Sequence, residues 1–192
     1  MEAEMILPIY FISTFLLLIL TYVTFRILHR RDYRRMDRQS PFSMILGALV
    51  FFLWGGFPYI YGPVDWPTVH VSTGFCILGW VILVGGLAIL FSAMTRLGLR
   101  RSVGVEGERL EETGFYRISR NPQVIGCSFF AIGFAILWPS LYALGWVLLL
   151  YAMLHMMVLT EEEHLCQVYG EAYVSYCKRV PRYLGLRIVS RG

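Results

Sequence analysis

Two short stretches hold most of the residues able to do chemistry. In GFYRISRNPQVIG (114–126), Tyr116, Arg117, Arg120 and Asn121 crowd ahead of Pro122 and an apolar run. In LTEEEHL (159–165), Glu161, Glu162 and Glu163 close another apolar run. Carboxylates facing guanidiniums, with an aromatic ring and an amide between them, have two uses. They neutralise one another as an interfacial ion-pair network, or they form a site. His155 is a third candidate, inside the apolar run and about 20° around an ideal helix from Glu162. An intramembrane imidazole either takes part in proton transfer or bonds to a helix neighbour near the interface. Asn121-Pro122 also has a structural use, as N-cap and first helical residue.

The elements that would position these groups follow from composition. Hydrophobic residues make up 57% of the 192 and charged residues 16%, where average soluble domains run near 45–50% and about 25%. Five stretches free of Lys, Arg, Asp and Glu, at 6–25, 42–61, 71–94, 122–138 and 141–159, mostly approach the roughly 20 residues that cross a bilayer. The fourth is the shortest and needs thinned or shared surroundings. MEAEM ahead of the first stretch is acidic, and six arginines follow that stretch in RILHRRDYRRMDR. That order suits a retained anchor better than a cleaved signal peptide. Every basic residue falls after the first, third or fifth stretch, and none lies in GPVDWPTVH after the second.

The positive-inside rule then predicts an all-α, five-span membrane protein with its N-terminus outside and its C-terminus in the cytoplasm. Residues 1–192 read as one membrane domain with a cytoplasmic C-terminal helical extension, continued through EEEHLCQVYGEAYVSYCKR. The net charge of +4 describes the inner face and suits anionic lipid headgroups, with no nucleic-acid partner required. Glycines and alanines of the third and fourth spans mark helix contacts; Gly126 also suits room for a ligand. Phe57, Tyr59, Tyr61, Trp66, Trp138 and Tyr142 read as an interfacial aromatic belt. Cys76, Cys127, Cys166 and Cys177 lack metal-ligand spacing. The turn WPS (138–140) folds spans four and five into a hairpin, which brings 114–126 beside 159–165.

This pattern resembles the isoprenylcysteine carboxyl methyltransferases and their relatives, the phospholipid N-methyltransferases. The resemblance runs from about residue 98 to Arg182, with segments 98–126 and 157–182 carrying it. Its residues are Gly114-Phe115-Tyr116, Arg120-Asn121-Pro122-Gln123-Val124-Ile125-Gly126, Glu161-Glu162 ahead of Tyr169-Gly170, then Tyr173, Tyr176 and Val180-Pro181-Arg182. The resemblance implies S-adenosyl-L-methionine bound at the cytosolic membrane edge. Tyr116, Asn121, Pro122, Gln123 and Val124 would pack the cofactor, with Glu108, Arg109, Leu110 and Glu111 alongside. Glu161 would hold it from the opposite helix.

Such residues fit that cofactor. A carboxylate accepts both ribose hydroxyls, and aromatic and acidic groups suit a sulfonium. His155, Asn121 and Glu162 are then the catalytic candidates, with the imidazole taking a proton from an amine or thiol. Three positions depart from the family pattern. Asn121 stands where the prenylcysteine enzymes have histidine, Val124 where tyrosine is usual, and Met157 where an arginine handles the substrate carboxylate. A thioether cannot pair with a carboxylate. The expected activity is therefore S-adenosylmethionine-dependent methyl transfer to a lipophilic acceptor. A phospholipid amine is the specific alternative, and a non-catalytic membrane scaffold or binding protein is the alternative from another class.

Overall fold

The computed structural model describes residues 3–65, 71–97 and 110–184. Among them every regular element is helical. Helix α1 (Ala3–Tyr22) runs without a break through a π-helical stretch (Val23–His29) into α2 (Arg30–Met36). The first span thus continues through most of the arginine-rich segment expected to connect it to the second. Nothing in RILHRRDYRRM breaks a helix, and Arg is among the better helix formers. Just before and within the π stretch, the hydroxyls of Thr21 and Thr24 donate back to the Leu17 and Leu20 carbonyls, a bond that loosens helices. The rod stops at Asp37, whose φ of 52° is left-handed. Asp32 accepts from the backbone and hydroxyl of Ser40, folding the chain into α3 (Pro41–Asp65).

Then follow α4 (Thr73–Leu97), a 3-10 turn (Gly114–Arg117), α5 (Pro122–Leu137), α6 (Leu141–Tyr169) and α7 (Glu171–Arg179). Four helical stretches are long and apolar enough to cross a membrane: Met5–Met36, Pro41–Ile60, Thr73–Arg96 and Leu141–Tyr169. Helix α5, the expected fourth span, is apolar but has 16 residues. At 1.5 Å each it reaches about 24 Å, short of roughly 30 Å of hydrocarbon. It packs backbone to backbone on α4. A Cβ on Gly126 would lie 2.6 Å from the Leu90 nitrogen, and one on Gly133 would lie 2.5 Å from the Leu83 nitrogen. Small residues allow this approach, and the room at Gly126 is filled by α4.

Helix α6 is the axis of the molecule. It packs against α1 and α3 through Leu17, Val50, Trp146, Leu150 and Met153, and its hairpin with α5 is closed by Ser140, whose hydroxyl accepts from the Ala143 nitrogen. At this end Phe57 and Tyr142 pack on Tyr10 inside the bundle, while Tyr59 is exposed. Part of the expected aromatic belt is therefore core. Trp66 and the Tyr61 side chain lie outside the described residues. At the other end the expected continuous extension breaks at Gly170, where φ is 52°. Helix α7 turns away there, and the chain returns across the end of the bundle as residues 180–184.

Candidate functional site

Successive helical residues point about 100° apart, so three consecutive glutamates at the end of α6 face three different neighbours. Glu163 faces the π stretch and α2, with Arg26 Nη2 at 2.8 Å and Arg30 Nε at 2.6 Å. Arg26 also donates to Thr160, whose hydroxyl donates to the Phe25 carbonyl. Glu162 is buried and faces the turn before α5 and the returning tail. Arg120 Nη1 stands 3.1 Å from its Oε1, and Arg182 donates to its Oε2 from Nε at 2.9 Å and Nη2 at 2.7 Å. Glu161 faces Tyr116.

The turn before α5 is held from both sides. Gly114, at φ +56°, sits over the Arg96 side chain of α4. Tyr116 is buried, and its carbonyl accepts from the Tyr176 hydroxyl at 2.7 Å. The Arg120 nitrogen donates to the Pro181 carbonyl at 2.9 Å. Ser119 Oγ and Asn121 Nδ2 both donate to the Arg182 carbonyl at 3.1 Å. Asn121 thus occupies the N-cap position without a capping side-chain bond; its amide binds the tail, and Pro122 at the start of α5 needs no donor partner. The same tail reaches His155, where the Tyr183 hydroxyl lies 3.0 Å from Nδ1. The histidine's partner is therefore a distant residue and not a helix neighbour.

Charge and burial reinforce one another around Tyr116. Burial, followed by the carboxylates of Glu161 and Glu111, pushes its hydroxyl well above the ordinary phenol range, while a hydrogen bond with Gln123 pulls the other way. Tyr173 is shifted the same way by burial and Glu162, opposed by Arg120, which is hydrogen-bonded to it. The bonds to Glu162 raise Arg182 above the usual arginine value. Around Glu162 the hydrogen bonding is incomplete. Arg120 meets its Oε1 as an ion pair, yet among the described residues that Oε1 and Arg120 Nε are buried with no hydrogen bond. Native proteins rarely leave such atoms without a partner, and the exceptions call for an explanation.

Of the residues singled out from sequence, Gln123 bonds the Tyr116 hydroxyl, and the carboxylates of Glu161 and Glu111 act on it electrostatically. Asn121 and Glu162 are joined through Arg182. Pro122 is buried at the start of α5, and Val124 belongs to the apolar core. Leu110 packs on the Tyr173–Tyr176–Val180 cluster, while Glu111 binds Thr113. Glu108 and Arg109 lie outside the described residues. Sequence reading gave no site role to Arg182 or Tyr173, nor to the Arg26–Arg30 pair that holds Glu163. The only signal was their place in the Tyr-x-x-Tyr and Val-Pro-Arg run and in the basic segment. A family model described as phospholipid methyltransferase matches residues 75–172, just over half of the chain, from α4 through the start of α7. No curated protein and no solved structure matches.

Proposed function

The chain belongs to the phospholipid methyltransferase family of membrane methyltransferases, and on that premise we propose that it methylates the amine of a phospholipid with S-adenosyl-L-methionine bound at the polar end of α5 and α6. The observation that carries this reading is Tyr116, whose hydroxyl bonds Gln123 and is acted on by the carboxylates of Glu111 and Glu161, so that three separate segments act on one buried phenol. At the neighbouring face of α6, Glu162 Oε1 and Arg120 Nε are buried without a hydrogen bond. That donor set suits the cofactor. Glu161 accepts from ribose hydroxyls, and the acidic and aromatic surroundings of Tyr116 favour a sulfonium cation. Glu162 Oε1 retains capacity to accept from an ammonium and Arg120 Nε to donate to a carboxylate, and an amino-acid end offers both.

When bound, the cofactor supplies an electrophilic methyl group. The chain's own work is positioning and exclusion of water, because an in-line displacement needs little covalent help from the protein. The Ser119–Asn121 segment and the tail at Pro181–Arg182 lock each other in place and wall the site from the water side. The acceptor reaches it from the lipid. Met157 packs on the apolar core, so this position offers a carboxylate no cation, which favours an amine acceptor over a prenylcysteine. We assign this end, which carries every described Lys and Arg, to the cytosol.

Titration of S-adenosylhomocysteine into detergent-purified protein tests the cofactor, with Glu161→Ala alongside. Binding by the parent that weakens in the variant is expected; no binding by the parent overturns the proposal. Incubation with radiolabelled cofactor and total lipid extract then tests the acceptor, where a gain of 14 daltons on amine-bearing lipids is expected. Cofactor binding without transfer to any lipid, prenyl thiol or amine would mark a non-catalytic protein that kept the fold.

A further inference from the structure

His155 lies six residues before Glu161 on α6, so its ring sits about 9 Å deeper into the apolar part of the molecule. Tyr151, one turn earlier on the same face, is half exposed, and its ring lies 6.0 Å from the imidazole and 6.2 Å from Tyr183. These three side chains form a polar ladder on a flank open to lipid. Within it, Tyr183 bonds His155 Nδ1 at 3.0 Å, and among the described residues no hydrogen bond is made to Nε2.

The direction of the Tyr183–His155 bond decides what Nε2 can do. A phenol hydroxyl is the stronger donor of the two groups and an imidazole nitrogen the stronger acceptor, so the hydroxyl donates into Nδ1. Burial and the neighbouring Tyr151 hold Tyr183 up at about 12, so the hydroxyl keeps its proton at neutral pH. A neutral imidazole whose Nδ1 accepts must carry its hydrogen on Nε2. That nitrogen then offers a donor to the lipid side and no lone pair, the reverse of the proton-accepting role suggested by sequence.

We propose that Tyr183 fixes His155 as an Nε2–H donor, and that this donor holds an oxygen of the phospholipid being methylated. The lipid identity rests on the function proposed above; the tautomer does not. A phospholipid whose amine lies level with Glu161 carries its phosphate and ester oxygens deeper, towards His155, and both are good acceptors. Tyr183 is a positioning residue in this scheme. It is itself held in place by residue 182, whose side chain binds Glu162 and whose carbonyl binds Asn121. One tail segment therefore sets the height of the lipid against the methyl donor.

The tautomer is read directly from long-range 1H–15N spectra of 15N-histidine-labelled, full-length protein in phosphatidylcholine nanodiscs, with the His155→Gln spectrum assigning the residue. The expected result is a ring protonated at Nε2 in the parent and a tautomer mixture in Tyr183→Phe. A parent protonated at Nδ1, or a spectrum that Tyr183→Phe leaves unchanged, overturns the proposal. Transfer of labelled methyl groups to phosphatidylethanolamine vesicles then separates a donor from a base. His155→Gln keeps an N–H at similar reach but has no basic nitrogen, and it is expected to raise KM for lipid ~3-fold; His155→Leu is expected to raise it ~30-fold. S-adenosylhomocysteine affinity should be unchanged in both. If His155→Gln collapses kcat as fully as His155→Leu, the residue is a base and the proposal fails. A parent that moves no methyl group to these vesicles removes the phospholipid reading and the lipid half of this inference, while the spectra still decide the tautomer.

Discussion

The two ends of α6 both bury polar groups, and they are built on opposite plans. At the aromatic end the contacts are returned. Trp54 and Trp146 stack 4.3 Å apart, and each indole N–H donates to the other residue's carbonyl, at 3.1 and 3.0 Å. Tyr10 donates to the Tyr142 carbonyl at 2.8 Å. These bonds are neutral, the tryptophan pair is mutual, and together they set how α1, α3 and α6 sit together. At the polar end the one-third exposed Glu163 accepts from Arg26 and meets Arg30 Nε as an ion pair without a hydrogen bond, whereas the buried Glu162 and its partner Arg120 both retain buried atoms without hydrogen bonds. Satisfied buried networks rigidify a fold, whereas incomplete ones need a further partner. The contrast links architecture to the aromatic end and to the more exposed Glu163, and the proposed ligand binding to the buried Glu162 and the groups around Tyr116.

Removing the charge of Glu162 breaks the open end most severely. Glu162→Gln leaves Arg120 and Arg182 facing a neutral amide, and loss of one partner of a buried ion pair costs about 3–5 kcal/mol. Denaturation in detergent should show that loss, and calorimetry should show S-adenosylhomocysteine affinity falling ~100-fold. An unchanged affinity would separate the open end from the cofactor and end the contrast. Tyr116→Phe is gentler, with ~10-fold weaker cofactor binding expected from one lost hydrogen bond. It also has a signature in pH. The folded protein keeps the Tyr116 proton above the ordinary phenol value, so the contribution of this residue is complete below about pH 10 and lost as pH rises beyond it. Stability measured between about pH 9 and about pH 11 should therefore fall less steeply in Tyr116→Phe than in the parent.

Much of this arrangement was legible because bilayers impose length and charge rules. The apolar stretches, the short fourth one and the hairpin that brings Arg120 to Glu162 all follow from run lengths and a three-residue turn. The glycine contacts at Gly126 and Gly133 follow from the need for close approach in lipid. What stayed hidden depends on tertiary geometry. An arginine-rich segment reads as a connection because charge dominates its appearance, yet its residues are good helix formers, so the first helix continues to Met36. Asn-Pro reads as a cap, but a tail 61 residues away takes the amide. Aromatic residues near a span end look interfacial whether they face lipid, like Tyr59, or the bundle, like Phe57. Nor does any spacing rule connect Tyr183 to His155, which meet only because the chain breaks at Gly170 and doubles back.

At the closed end, Trp146→Phe should cost about 1–2 kcal/mol, one indole hydrogen bond within a membrane bundle plus some stacking area, and leave S-adenosylhomocysteine affinity at the parent value. A clear fall in affinity would mean that the ends are coupled through α6. The smallest expected effect gives the sharpest contrast. Glu163 adjoins Glu162 in sequence, carries the same charge and also meets two arginines, so a view of this region as one undivided ion-pair network predicts similar consequences for both. The geometry predicts otherwise. Glu163 is about one-third exposed, and when it is neutralised Arg26 still donates to Thr160. Glu163→Gln should then cost no more than about 1 kcal/mol, less at high salt. Cofactor affinity should stay within about twofold, because neither arginine borders the Tyr116 cluster. If Glu163→Gln weakens cofactor binding as much as Glu162→Gln does, the three glutamates act as one field, and the 100° steps between them do not divide architecture from function.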